Sequence, residues 1–440
     1  MRETKAVGPG KFSWRELFSE AFSRHTGEAL ERHWAAGTIG NIPTIDNVDT
    51  NWPKPWVFVR VFGLTLLVYL IFLFCWNRFH ATNLLPGLIM VGTAAIPLSV
   101  LVFFFEMNAR RNVSMYLLGK MLILGGAVSL LFSLFMFRVT ELAGLGWMGA
   151  SVAGIAEETG KLLAVLAVAN CLRYPYLLNG ILFGAAVGTG FAVFESAGYA
   201  LNSLILQIID FSVSNSEKIL GAAREAATSG SSGHDILSGL FQSMAAKFDD
   251  AMFGSITLRG CLAPFGHILW TAMTAGALWM VKGSRKFEFG MLLDGRFLRF
   301  FVAAMLLHAL WNAPWELDFI TPYDKQILLG VAGWAIIFYL IRRGLVQLAE
   351  EKARCEAVPE QEPGVAEIIR VQAVYVETLT APAPVREGAS APAPGYDHLG
   401  VAAEVRESKE REQNRERPDF SKRAWKNYYS RDGRDGEGKQ

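Results

Sequence analysis

The chain has 440 residues, 52% of them hydrophobic and only 19% charged, with a formal net charge of +1. A soluble domain needs more polar surface than this, so the composition predicts a polytopic membrane protein and gives no reason to expect a nucleic-acid partner. The four cysteines include no C-x-x-C pair, which argues against a zinc ribbon or a disulfide framework.

Residues 1–55 read as a polar cytoplasmic arm. They lack the apolar core of a signal peptide. Ser13-Trp14-Arg15-Glu16 fits a capping box, and an amphipathic helical stretch follows to about Ala36. Such a helix suits the membrane surface and bulk solvent equally well.

A bilayer core of about 30 Å takes roughly 20 apolar residues in a helix. Eight stretches meet or approach this length: about 56–76, 84–105, 114–136, 145–169, 177–206, 256–281, 297–315 and 327–346. Pro314 marks the end of the seventh. Lysine and arginine favour alternate connections, which places both termini on the cytoplasmic side of the cell (inner) membrane. The expected fold is all-α: a polytopic bundle of about eight transmembrane helices over residues 56–347, preceded by the arm and followed by a tail, 348–440.

The 207–255 connection then lies outside the cell. Leu237, Leu240, Phe241, Met244, Phe248 and Met252 recur at helical spacing, so an amphipathic helix is expected there, packed on the membrane or covering a site. The tail is rich in Pro, Glu and Ala before it becomes densely charged. It cannot bury a core and is predicted to be disordered.

Charges at membrane depth carry the chemistry, because each costs roughly 2.5–3.5 kcal/mol unless paired or hydrated. The fourth span holds Glu157, Glu158 and Lys161. One lysine at i,i+4 and i,i+3 reaches either carboxylate but cannot neutralise both. The spare carboxylate is then protonated or poised as a base; the plainer reading is an ion pair that locks helix packing. The fifth span holds Glu195 on a face with Gly184, Gly188, Ala192 and Tyr199, where small residues admit a close partner helix. The sixth holds His267; the seventh holds His308, with Asn312 one turn later. At 1.5 Å rise per residue, Glu157, His267 and His308 each fall about 16–18 Å from one end of their spans, near the midplane. Glu195 falls nearer the outer face, which suggests a cavity open to the outside.

Glu157-Glu158-x-x-Lys161 resembles the EExxK motif of PrsW-type intramembrane proteases, and Phe191-x-x-x-Glu195 resembles their FxxxE motif. His267 and His308 resemble their later histidines, and Phe105-Glu106 and Gly125-Gly126 fit the surrounding pattern. The similarity spans roughly residues 84–346. The family is related to the CAAX-protease and bacteriocin-processing superfamily. That resemblance implies hydrolysis of a membrane-anchored protein, such as an anti-sigma factor, near the outer surface. It implies a water-activating glutamate in the first motif and an oxyanion pair resembling His308-x-x-x-Asn312.

Peptide hydrolysis needs an activated water, a base and donors for the oxyanion. Glu157 or Glu158 fits the base, tuned by Lys161. Glu195 and His267 suit water positioning or protonation of the leaving amine, and His308 and Asn312 suit the oxyanion. With no H-E-x-x-H, an ordinary zincin is excluded. A cofactor is not demanded, but Glu158, Glu195, His267 and His308 are donors that suit a divalent metal such as zinc. Two other readings use the same residues. One is a proton-coupled transporter, against which the sequence offers no inverted repeat and no pair of broken helices. The other is a catalytically inactive membrane scaffold.

Overall fold

The computed structural model describes residues 8–79, 82–170, 172–229, 252–317 and 319–356. Among these residues the regular structure is helical throughout. In chain order the helices are α1 (Trp14–Leu17), α2 (Gly27–Trp34), α3 (Val57–Phe79), α4 (Leu85–Met107), α5 (Met115–Leu142) and α6 (Ala153–Ala169). They continue as α7 (Leu177–Ser214), α8 (Ser216–Ser229), α9 (Gly254–Leu262), α10 (His267–Lys282), α11 (Gly295–Asn312) and α12 (Asp324–Glu356).

Among the described residues, six segments are long and apolar enough to cross a bilayer: α3, α4, α5, α7, the α9–α10 pair and α12. The fourth and seventh expected spans are α6 and α11, of 17 and 18 residues. The expected first part of the fourth span, Leu145–Val152, is instead a 3-10 segment kinked at Gly149, whose φ of 56° suits glycine. Helix α11 stops before Pro314, with Ala313 turned to ψ 145° as a residue preceding proline prefers.

Several other boundaries differ from expectation. The amphipathic stretch of the arm is interrupted, because Thr26 accepts from the Ala29 N–H and starts a second helix. The sixth span is broken. Pro264 lies in a single 3-10 turn, Ala263–Phe265, and Gly266 leaves helical geometry at φ −115°, ψ −127°. Helix α7 runs to Ser214 rather than about 206. Helix α12 passes 347 and reaches Glu356, where the Glu351 carboxylate accepts from the Tyr176 hydroxyl (3.1 Å) and Lys352 donates to the Val48 carbonyl (3.1 Å). Of the apolar stripe expected in the 207–255 connection, only Met252 is described, buried against Ile89, Ala200 and Ile256. The rest of that stripe and residues 357–440 of the tail lie outside the described residues.

Helix α7 is the centre of the bundle. It is buried from Leu177 through Val193 and packs on α4, α5, α10 and α12. Its glycine face permits that packing. A Cβ on Gly188 would stand 2.6 Å from the His267 carbonyl oxygen, so the start of α10 lies backbone to backbone on α7. The outer helices show the opposite pattern. Leu64, Leu67, Leu70 and Phe74 of α3, and Leu131, Leu134 and Phe135 of α5, are exposed, an apolar exterior suited to lipid.

The arm is fastened to this bundle by a buried carboxylate. Glu106, near the end of α4, accepts the N–H groups of Trp56, Val57 and Phe58 at 2.7, 2.8 and 2.9 Å, which are the free donors at the start of α3. His33 packs beside it, with Nε2 3.7 Å from Glu106 Oε1, while Arg111 donates to His33 Nδ1 at 3.0 Å. That donation makes Nδ1 the acceptor and keeps the imidazole neutral. Burial, with the Arg111 charge adding to it, pulls the His33 pKa down to about 4.

Candidate active site

Four helices and the break before α10 bring the intramembrane charges together. On α6, the i,i+3 spacing sets Lys161 Nζ 2.7 Å from Glu158 Oε1, and the i,i+4 spacing sets it 3.6 Å from Glu157 Oε2. Gly154 lets α11 close on α6, since a Cβ there would lie 2.4 Å from the Met305 carbonyl oxygen. This approach places His308 against both glutamates. Its Nδ1 is 2.8 Å from Glu158 Oε1 and its Nε2 is 3.7 Å from Glu157 Oε2. The ring is stacked on Trp270, with centroids 4.3 Å apart.

His267 is the first residue of α10. Its Nε2 lies 3.0 Å from Glu195 Oε2 on α7; its Nδ1 lies 2.9 Å from Lys161 Nζ and 3.8 Å from Glu157 Oε2. The F-x-x-x-E spacing acquires a physical reason here. Phe191, one turn before Glu195, packs on the His267 ring (5.0 Å) and lies under the Lys161 ammonium (4.2 Å).

The hydrogen-bond partners assign both tautomers. Lys161 can only donate, so His267 Nδ1 accepts and Nε2–H donates to Glu195. His308 donates from Nδ1 to Glu158, which leaves its Nε2 lone pair toward Glu157. Glu157 Oε2 lies 3.7 Å from His308 Nε2 and 3.8 Å from His267 Nδ1, and Glu157, His267 and His308 each offer a ligand atom within 4.8 Å of the others; the His267 Nδ1 lone pair is taken up by Lys161, which would have to withdraw for a metal to bind there. Glu157 Oε2 is buried without a hydrogen-bond partner. Glu158 Oε2 also lacks one, but that side chain is fully enclosed behind the others. Three carboxylates here share two cations, Lys161 and Arg259. Two histidines with one glutamate form a donor set used by catalytic zinc. Each histidine also gives its other N–H to a carboxylate, the usual arrangement behind metal-ligating imidazoles.

The donors lie on the wall of a cavity of about 500 Å³, within the range of ligand pockets. Glu157, Glu195, His267, His308 and Asn312 line it, whereas Glu158 and Lys161 do not. The donor group thus contains Glu157 in place of the expected Glu158. Glu195 stands behind His267 rather than within the group. His308 has both ring nitrogens directed at glutamates, and Asn312 is on the cavity wall one turn beyond it.

Arg259 escaped the sequence reading. It lies on α9, with Nη2 2.5 Å from Glu195 Oε2 and Nε 3.0 Å from Ser196 Oγ. The available signal was a lone arginine near the start of the mostly apolar run 254–281.

The sequence matches the family model described as PrsW family intramembrane metalloprotease over residues 96–210 and 233–341, just over half of the chain. No curated protein and no solved structure matches. The match favours a hydrolase over the transporter and scaffold readings. With its helical membrane architecture and its Glu-His-His cluster, this chain belongs to the PrsW family of intramembrane metalloproteases, and it is a membrane-embedded peptide hydrolase.

Proposed function

We propose that this protease cleaves a membrane-anchored protein, of the anti-sigma-factor kind, in the cavity bordered by Glu157, Glu195, His267, His308 and Asn312. The observation that supports the reading best is the cluster of Glu157, His267 and His308, whose ligand atoms lie within 4.8 Å of one another, with Glu157 Oε2 buried and without a hydrogen-bond partner. Glu157, His267 and His308 would hold a divalent metal such as zinc. When bound, it supplies Lewis-acid polarisation of the scissile carbonyl and activation of water at neutral pH.

The remaining residues do the positioning and the proton transfer. Glu158 fixes the tautomer of His308 and neutralises Lys161, and Lys161 donates to His267 Nδ1, a bond given up when that lone pair goes to a metal. Glu195 fixes the tautomer of His267. It is the other carboxylate on the cavity wall, so it takes the proton from water and returns one to the leaving amine. Asn312 presents an amide donor to the carbonyl oxygen as charge develops there. His308 is thereby reassigned from the oxyanion to the donor group, because its Nδ1–H already serves Glu158.

The test is cleavage of tagged single-span membrane proteins by the purified enzyme, with and without a chelator. The expected result is a discrete cut that is abolished by chelation, restored by zinc and absent in Glu157→Gln. Cleavage that persists in the chelated enzyme and in Glu157→Gln would overturn the assignment.

A further inference from the structure

We propose that Arg259 is a positioning residue of the hydrolytic site, acting through Glu195 to set His267. The inference rests on the functional reading above. Arg259 reaches from α9 across to three residues of α7. It donates to Glu195 Oε2 (2.5 Å) and Ser196 Oγ (3.0 Å), and its guanidinium lies 4.3 Å from the centre of the Tyr199 ring. Glu195 Oε2 is the same oxygen that receives His267 Nε2 at 3.0 Å. One carboxylate oxygen therefore joins α9, α7 and α10 across the helix break at Gly266.

An arginine inside a membrane-crossing segment is uncommon and usually functional, so this one needs a reason. Holding α9 in place is not sufficient, because α9 is already anchored by Ile256 in an apolar cluster with Ile89, Ala200 and Met252. The contact geometry favours a different task. A planar guanidinium can donate along two directions and stack on a ring at once, which a lysine ammonium cannot. It fixes the rotamer of Glu195, so the carboxylate stays in place to accept the Nε2–H of His267. Nδ1 is then the ring nitrogen on the side of Lys161 and Glu157. Without Arg259, Glu195 loses its guanidinium partner and is free to turn from His267.

The experiment uses the full-length protein in detergent, stripped of metal and titrated with zinc, with cleavage of a single-span reporter measured in parallel. Arg259→Ala is expected to weaken zinc binding by about 10–100-fold, the range seen when the carboxylate partner of a metal-bound histidine is lost. Its kcat is expected to fall at limiting zinc and recover in excess zinc, with KM little changed. Adding Glu195→Gln to Arg259→Ala is expected to cost no more than Glu195→Gln alone, because both act on one link. Wild-type zinc affinity in Arg259→Ala, additive losses in the double variant, or a change confined to KM would each overturn the proposal. If Arg259→Ala does not fold, Arg259→Lys carries the test. It keeps the charge and loses the fork, so weaker zinc binding is expected and unchanged affinity overturns the proposal. Failure of the underlying reading is separately visible, since His308→Ala would then bind zinc as tightly as wild type.

Discussion

His308 donates from Nδ1 to Glu158 Oε1 across 2.8 Å, and the same oxygen accepts from Lys161 at 2.7 Å. One fully buried carboxylate thus holds a histidine from α11 and a lysine from its own helix. Removing it strands two buried donors, the His308 Nδ1–H and a Lys161 N–H, and each buried group left unpaired costs about 1–3 kcal/mol. Glu158→Ala should therefore lower the melting temperature and abolish cleavage. Adding Lys161→Met, which removes one of the stranded donors, should recover part of the stability and none of the activity. If the single and double variants melt together, the buried pair is not a stability element.

Asn312 shares the cavity wall with the donor group but lies outside it. Asn312→Ala should leave zinc content at the wild-type level and reduce kcat by about 10²–10³-fold, the usual effect of losing one oxyanion donor. Metal analysis beside reporter kinetics checks this. Loss of zinc with loss of activity would place Asn312 in the metal site instead.

Gly188 sits where α10 begins. Gly188→Val would drive a side chain into the His267 backbone, and backbone yields poorly, so a loss of about 1–3 kcal/mol is expected. Cleavage should fall further than stability, because His267 moves with that backbone. Gly198→Ala on the same helix has open space within 4 Å and should leave cleavage unchanged and stability equal or slightly raised. Melting curves and reporter assays on the two variants separate the outcomes.

The arm should undock in mild acid. The pKa of His33 is held at about 4 in the folded protein, below its ordinary value of 6.5. Between these values the unfolded arm binds the proton and the folded arm does not, so stability rises with pH through this window. The contribution is fully present above about pH 6.5 and is lost as pH falls toward 4, to a total of about 3 kcal/mol. Limited proteolysis of the arm against pH should show protection at pH 7 that declines toward pH 5. His33→Asn should flatten that dependence.

Much of the architecture was legible in contiguous residues. Apolar runs marked all six long spans, and charges inside apolar runs marked α6 and the start of α10. The breaks were harder to see. The sixth span reads as one continuous helix over about 256–281, although Pro264 followed closely by Gly266 is enough to end a helix. The roles of Glu157 and Glu158 were illegible for another reason. Neighbouring residues on a helix point about 100° apart, so only the rotation of α6 against α11 decides which carboxylate meets the cavity. Arg259 was overlooked because its partner lies 64 residues away in the chain.

The sequence alone determined that this chain enters a bilayer as helices and carries acids, imidazoles and one lysine to membrane depth, because hydropathy and i,i+4 spacing are properties of neighbouring residues. Tertiary structure decided which of those groups touch. Helix rotation and the glycine contacts at 154 and 188 depend on packing between segments distant in the chain, and no local pattern encodes them.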